Sequence, residues 1–119
     1  MKTLFLAALL LFAHSAHAEN WSDADRYREA AYLTLHVADW AQTRYAMRQE
    51  HGFREANPIL GNHPHENKID VFAIMTALAH VWVAHIIPKK HRNVFQYVSI
   101  GIKVGIVANN YSVGAKIQF

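Results

Sequence analysis

The sequence predicts an all-α protein with three principal helices, followed by a short extended tail. Three long stretches rich in apolar residues lie at residues 22–50, 68–87 and 93–108. Glycine, proline and asparagine are concentrated between these stretches, where turns are expected. Apolar residues alternate with other residues near the C-terminus, which is the pattern of an extended chain, at Val113, Ala115, Ile117 and Phe119.

Residues 1–18 have the three parts of a secretory signal peptide. Lys2 gives a positive start, residues 4–13 form an apolar run, and the small residues Ala16 and Ala18 lie where a signal peptidase reads the chain. The apolar run is too short to cross a bilayer. We expect cleavage after Ala18, which leaves one helical domain at residues 19–119. An uncleaved short anchor is the alternative.

Local signals predict the bounds of the first helix. Ser22 and Asp25 have the spacing of a capping box, in which each side chain bonds the backbone of the other residue. Gly52 is a natural stop for the helix. The loop at residues 52–67 contains two prolines and two glycines, which do not continue a helix.

Similar signals predict the bounds of the second and third helices. Asn67 is a candidate cap for the second helix, and Pro88 ends it. Residues 89–92 then form a compact basic turn, and Asn93 begins the third helix. We expect Asn109 and Asn110 to break that helix.

Composition excludes several classes of function. The chain has 12 Lys and Arg against 9 Asp and Glu, without a basic stripe, so we expect no nucleic-acid partner. Cysteine is absent, which excludes disulfides, a thiol nucleophile and thiolate metal sites. A small exported domain without disulfides needs another source of stability, and we expect membrane burial or self-association.

The second helix is apolar and long enough to cross a bilayer, which takes about 20 residues. The first helix contains His36, Asp39, Arg44 and Arg48, so crossing would be costly for it. We therefore expect the first helix to lie on or outside the membrane, with the other two as a hairpin. That arrangement puts the basic turn at residues 89–92 in the cytoplasm, as the positive-inside rule prefers. A soluble periplasmic bundle is the alternative.

The third helix carries two glycines four residues apart. Gly101 and Gly105, with Ala108 about one turn later, form a small-residue groove in which another helix is able to approach closely. We expect this groove to pack against a helix.

Each predicted helix carries one stripe of polar residues among apolar neighbours. If the stripes face inward, we expect Asp39 to meet His80 or Lys103, since a buried carboxylate needs a partner. Such a pair is also used by proton relays and general acid–base sites, whereas a satisfied structural network is the alternative. The stripes are His36, Asp39 and Thr43; Thr76 and His80; and Gln96, Ser99 and Lys103.

Two spacings are compatible with metal binding, although neither provides a full ligand set. His36 with Asp39 on one helix face, and His63 with His65 in the loop, are able to chelate. No zinc motif, nucleophile elbow, phosphate loop or dinucleotide fingerprint occurs in the sequence. We therefore predict no cofactor and no catalytic motif.

One motif resembles a known family. The string Asp39-Trp40-Ala41-Gln42-Thr43, followed by Glu55-Ala56-Asn57-Pro58, resembles short bacterial membrane proteins of unknown function. The longer sequence is also similar to small exported proteins of phage and prophage genomes, through residues 95–98 and 101–110. The resemblance implies a helical envelope protein in which Asp39, Thr43, Glu55 and Asn57 form one unit. We interpret that unit as a staple that holds the loop against the first helix.

These observations lead to three functional hypotheses. The first is an exported envelope protein, expected in the inner membrane with a periplasmic N-terminus, for which the resemblance implies a phage origin. It would act through protein contacts with a partner or a second copy. The second is a small enzyme or a proton- or metal-handling site built on His36, Asp39 and His80, with Lys103 as charge partner. The third is a soluble periplasmic binding module.

Overall fold

The computed structural model describes residues 21–48, 52–55 and 57–118. It contains three helices: α1 (Asp23–Ala46), α2 (Glu66–Ile86) and α3 (Lys89–Ser112). No strand occurs in these described ranges, and residues 115–118 have no regular secondary structure. The all-α prediction with three principal helices is confirmed. The predicted signal peptide at residues 1–18, and Phe119, lie outside the described residues.

The start of α1 is the predicted capping box. The Ser22 Oγ accepts a hydrogen bond of 3.1 Å from the Asp25 backbone N–H, and the Asp25 carboxylate accepts one of 2.9 Å from the Ser22 N–H. Both carboxylates of the first turn also lie at the positive end of the helix dipole. The helix ends at Ala46, earlier than predicted, because the Met47 N–H closes the last turn on the Thr43 carbonyl. Gly52 has a φ of 70°, which favours glycine.

The bounds of α2 agree with one sequence signal and not with the other. The helix begins at Glu66, so Asn67 is not its cap, and the preceding His65 makes no side-chain capping bond. It ends at Ile86, as predicted from Pro88. Ile87 is extended, with a ψ of 138°, because the proline ring disfavours helical geometry in the residue before it.

The predicted bounds of α3 were wrong at both ends. The helix begins at Lys89, so residues 89–92 are its first turn and not a separate basic turn. Pro88 suits this position because a helix start leaves its first N–H groups unpaired and proline has none. Asn109 and Asn110 lie within α3, which continues to Ser112. Asn110 remains helical because its side chain bonds polar groups of α1.

The three helices pack up, down and up, with α1 in contact with both others. Antiparallel packing of α2 on α1 brings Glu29 to His80 near one end and Trp40 to Asp70 near the other. Parallel packing of α3 on α1 joins Gln42 to the Val107 carbonyl. We call the end where α1 begins and α2 meets α3 the Pro88 end, and the opposite one the loop end. The structure therefore does not separate α1 from an α2–α3 hairpin.

The interior of the bundle is unusually polar. Two small apolar clusters lie between α1 and α2: Trp40, Ala41, Ile69 and Ala73, and Tyr32, Leu33, Ala77 and Val81. The largest fully buried side chains are Arg92, Gln42, Gln96 and Asp70. Large apolar side chains are instead exposed along α2 and α3, including Val71, Met75, Trp82, Ile86, Val94, Tyr97, Val98 and Ile102.

Gly101 and Gly105 of α3 are exposed and have no helix packed closely against them, although Gly105 lines an open cleft. A Cβ atom added at Gly101 or Gly105 would meet no heavy atom within 4 Å. The helix packing predicted for these two residues is therefore not found within the described part of one chain.

One helix is able to cross a membrane by length and composition. α2 has 21 residues and a mean hydropathy of 1.7 over its most apolar window. One third of that window is buried within the described bundle.

Candidate functional site

A cleft of about 950 Å³ lies between the three helices at the loop end. It exists because α2 and α3 join at Pro88 but have little contact with each other, while each packs on α1. The loop that includes Phe53 and Leu60 contributes to its wall. Its polar lining includes His36, Asp39, Gln42, Thr43, Glu55, Asn57, Thr76, Lys103 and Asn110, and its apolar lining includes Met47, Ile69, Phe72, Ile102 and Ile106.

An ion pair joins α1 and α3 within the cleft. The Lys103 Nζ lies 2.6 Å from the Asp39 Oδ2, and both side chains are mostly buried, with 13% and 20% of their surface exposed. The Asn110 amide donates a 3.3 Å hydrogen bond to the other carboxylate oxygen. Of the two partners considered for Asp39 from the sequence, the structure provides Lys103 and not His80.

Two amides beside this ion pair were not singled out in the sequence. The Asn110 Nδ2 also donates to the Gln42 Oε1 over 3.2 Å, and the Gln42 Nε2 donates to the Val107 carbonyl over 3.1 Å. Gln42 is fully buried. The sequence offered one indication of its role: Gln42 lies between Asp39 and Thr43 in the motif, where a polar residue is on the same side of α1 as Asp39.

His36 lines the deep part of the cleft with an unusual bonding pattern. Its Nε2 lies 2.8 Å from the Ala73 carbonyl and 3.1 Å from the Thr76 hydroxyl. A carbonyl oxygen only accepts, so Nε2 carries the proton of the neutral ring. The Nδ1 is then a buried acceptor, and it has no partner among the described residues.

The loop motif is bonded within itself. The Glu55 carboxylate accepts a hydrogen bond of 2.9 Å from the Asn57 N–H, and the Asn57 side chain accepts one of 3.0 Å from the Ile59 N–H. The Asn57 carbonyl accepts from Leu60 and Gly61, so the turn around Pro58 is closed on both sides. Asp39, Thr43, Glu55 and Asn57 all line the same cleft.

Glu55 bonds within its own loop and makes no contact with Arg44 of α1. Arg44 is buried against α2, where its guanidinium bonds the Asp70 and Glu66 carboxylates. The Trp40 indole N–H donates to the same Asp70 oxygen over 2.7 Å. No periodicity or motif in the sequence indicated this cluster, because its members come from different helices.

A second polar network lies at the Pro88 end. The His80 Nδ1 is 2.6 Å from the Glu29 Oε1, and the imidazole stacks between Tyr32 and Phe95 with ring centroids 3.5 and 4.6 Å apart. The Gln96 amide donates to the second Glu29 oxygen over 2.9 Å. His80 and Glu29 do not line the cleft. The single site predicted from His36, Asp39 and His80 is therefore divided between two regions.

Two arginines complete this network. The Arg92 guanidinium donates to the Ala84 carbonyl over 2.7 Å and to the Asp25 carboxylate over 3.2 Å. The Arg28 Nε donates to the Gln96 Oε1 over 2.9 Å. Charges at this end are thus paired inside the bundle, which is what buried ionic groups require.

The candidate metal ligands are not assembled into a site. His63 and His65 are exposed loop residues on either side of the buried Pro64. His36 and Asp39 both line the cleft. Among the described residues, no group of three or more His, Asp or Glu is placed to hold a metal ion.

Comparisons with protein families, curated proteins and solved structures found no match to this chain. The resemblance to short bacterial membrane proteins therefore stays a prediction drawn from the motif at residues 39–58. The geometry itself offers an accessible cleft with an ion pair, a neutral imidazole acceptor and apolar walls. Such an arrangement is suited to binding a small group with both polar and apolar parts.

Proposed function

We propose that the chain is an integral protein of the bacterial inner membrane, whose three helices cross the bilayer side by side and which acts through contacts with other proteins. The observation that carries this proposal is the inverted distribution of side chains. Charged residues are paired inside the bundle, and large apolar residues cover its outside. A soluble domain of this size would bury those apolar residues instead.

The outward face of α1 supports a position within the bilayer. Asp25, Glu29, His36 and Arg44 are buried against the other helices. Apart from Asp23 in the first turn, the exposed positions of the same helix are small, aromatic or uncharged: Ala24, Tyr27, Ala30, Ala31 and Thr34. Arg26 is partly exposed and pairs with Asp23. Three of the four residues that argued against crossing, His36, Asp39 and Arg44, lie within the bundle. Arg48 is partly exposed at the loop end. Polar groups inside a helical bundle are tolerated when they are paired.

The outward faces of α2 and α3 support the same position. Met75 is 59% exposed, and between Val94 and Ala108 the exposed residues of α3 are apolar or glycine. This belt covers about 15 residues, or about 22 Å at 1.5 Å per residue. Its height is most of the hydrocarbon thickness of about 30 Å.

Three exposed aromatic side chains surround the bundle at the Pro88 end of the belt. Tyr27, Trp82 and Tyr97 come from three different helices, and their exposed fractions are 76%, 63% and 60%. The packing of the helices brings the three to a similar height. Tyr and Trp are enriched at the level of lipid headgroups, so these three side chains together are typical of one boundary of a membrane-spanning region.

In the proposed arrangement, the parallel packing of α1 and α3 determines which parts of the chain lie on the same side of the membrane. The start of α1 and the turn at Pro88 lie on the same side, so an exported N-terminus takes residues 89–92 outside with it. The positive-inside rule does not oppose this orientation, because the described part of the chain has five Lys and Arg residues at each end of the bundle. They are Arg26, Arg28, Lys89, Lys90 and Arg92 at the Pro88 end, and Arg44, Arg48, Arg54, Lys68 and Lys116 at the loop end.

Fractionation of cells that produce a C-terminally tagged chain tests the proposal. We expect the protein to stay in the membrane pellet after a carbonate wash and to be released by detergent. Mass analysis of its N-terminus tests cleavage after Ala18 in the same sample. Release into the soluble fraction by carbonate would contradict the proposal and favour a periplasmic binding module.

A proton-handling or catalytic site is the second candidate, and the accessible Asp39–Lys103 pair favours it. We expect Asp39→Asn to keep the helix content and remain folded, although less stable because Lys103 loses its charge partner, while removing the phenotype of the intact gene in a deletion strain. Asp39→Glu is the matched control that keeps the charge. Unfolding of the Asp39→Asn protein would instead assign the pair to structure.

A further inference from the structure

We propose that the cleft binds one molecule of an uncharged amphiphile whose head group both donates and accepts hydrogen bonds, such as a long-chain alcohol or a monoacylglycerol. The inference rests on the proposed function only for the source of the ligand, which is the surrounding bilayer. It is otherwise argued from the size, walls and polar groups of the cleft.

The size and walls of the cleft fit an amphiphile. Its volume of about 950 Å³ is at the upper end of the range for small-molecule sites, about 300–1,000 Å³. Phe72 of α2 and Ile102 and Ile106 of α3 form apolar walls where these two helices diverge. An alkyl chain between them would cover apolar surface that no other described element covers.

The deep part of the cleft offers one free acceptor and one donor. The acceptor is the His36 Nδ1, which is unpaired among the described residues and has almost no accessible surface, so a ligand reaches it only when neighbouring side chains move aside. An unpaired buried polar group destabilises the fold, and a ligand O–H or N–H would remove that penalty. The donor is the Lys103 ammonium group, which has three protons, while Asp39 is its one hydrogen-bond acceptor in the described chain. The two groups together favour a head group that both donates and accepts hydrogen bonds.

The charges of the cleft select against a charged head group. Lys103 and Asp39 already neutralise each other at 2.6 Å. A carboxylate or ammonium head placed beside them would be removed from water without a partner of its own, which is unfavourable. An uncharged head keeps the pair intact and still forms hydrogen bonds with its neighbours.

Binding of tritiated 1-monododecanoylglycerol to the full chain in phosphatidylcholine nanodiscs tests the proposal, with empty nanodiscs as background. We expect saturable binding that dodecane-1,2-diol displaces. At pH 7, dodecanoate and dodecylammonium should compete at least about ten-fold more weakly, the factor that corresponds to one lost hydrogen bond. Equal competition by all three head groups, or no saturable binding, would overturn the proposal.

A pair of variants locates the site. His36→Leu removes the free acceptor, and we expect its dissociation constant to rise about ten-fold. Ser99→Ala is the matched control, since the Ser99 hydroxyl bonds only the Phe95 carbonyl of its own helix. Equal binding by the two folded variants would contradict the assignment to the cleft. If His36→Leu does not fold, the competition series on the unaltered chain still tests whether the protein selects an uncharged head group.

Failure of this inference is distinguishable from failure of the proposed function. A chain that resists carbonate extraction and enters nanodiscs, but binds no monoacylglycerol, leaves the membrane proposal standing and overturns the ligand. A chain released by carbonate overturns the membrane proposal before any binding is measured.

Discussion

Glu29 and His80 join α1 to α2 through a hydrogen bond of 2.6 Å between a carboxylate oxygen and the imidazole Nδ1. Tyr32 and Phe95 stack on the two faces of the imidazole, and neither Glu29 nor His80 lines the cleft. The pair therefore holds the Pro88 half of the bundle together, while the loop half opens into the cleft. The Glu29–His80 contact and the cleft therefore lie at opposite ends of the same three helices.

Loss of Glu29 should destabilise the bundle without a direct effect on the cleft. Glu29→Leu leaves His80 and the Gln96 amide without their acceptor in a buried position. We expect the free energy of unfolding to fall by about 3 kcal/mol, as for other buried pairs from which one partner is removed. Denaturation followed by circular dichroism measures this change. Thr34→Ala, at an exposed site on the same helix, should change it by less than about 0.5 kcal/mol; equal effects would contradict the role given to Glu29.

The Asp39–Lys103 pair should show energetic coupling. Asp39→Ala and Lys103→Ala each leave the other charge in a mostly buried position. We expect the two changes in unfolding free energy to be non-additive by about 1–3 kcal/mol in a double-mutant cycle. Additive effects would mean that the two side chains do not interact in the folded protein.

The absence of cysteine allows a direct test of how the helices cross the membrane. Single cysteines placed at Asp23 and Lys90 should react with an impermeant maleimide from the same side. A cysteine at Asn62 should react from the opposite side, because Asn62 lies at the loop end. Labelling of the Asp23 and Lys90 positions from opposite sides would instead support α1 outside the bilayer beside an α2–α3 hairpin.

A charge on the outer face of α2 should interfere with membrane insertion. Met75 lies near the middle of the apolar belt and is 59% exposed. Met75→Lys is expected to disfavour the inserted state by about 2–3 kcal/mol and to lower the carbonate-resistant fraction. Met75→Leu is the matched control and should behave like the unaltered chain. A soluble bundle would tolerate both changes equally, since an exposed lysine is ordinary in water.

Local signals in the sequence predicted the helix ends that neighbouring residues determine. The Ser22–Asp25 capping box and the stop before Pro88 both act within four residues, and the structure contains both. The prediction that Asn109 and Asn110 break the third helix was wrong for a related reason. Asparagine favours turns when its side chain bonds the local backbone, but the Asn110 side chain bonds α1 instead.

The candidate site was predictable only in part, because its contacts join distant parts of the chain. The common face of His36, Asp39 and Thr43 follows from helical spacing and is confirmed, since all three line the cleft. The choice of Lys103 over His80 depends on the parallel packing of α3 against α1, which no local pattern encodes. The antiparallel packing of α2 on α1 likewise places Arg44 on Asp70, whereas Glu55 bonds within its own loop.

The inward charges of α1 also have a consequence for the order in which the protein is assembled during synthesis. The ribosome makes α1 first, but the partners of Glu29, Asp39 and Arg44 are on α2 and α3. If the chain inserts into the membrane as proposed, α1 alone in lipid would leave these charges without partners, so α1 would have to wait at the insertion machinery or the membrane surface until residues 66–110 follow. The three helices would then leave for the lipid phase together, as one unit and not one by one.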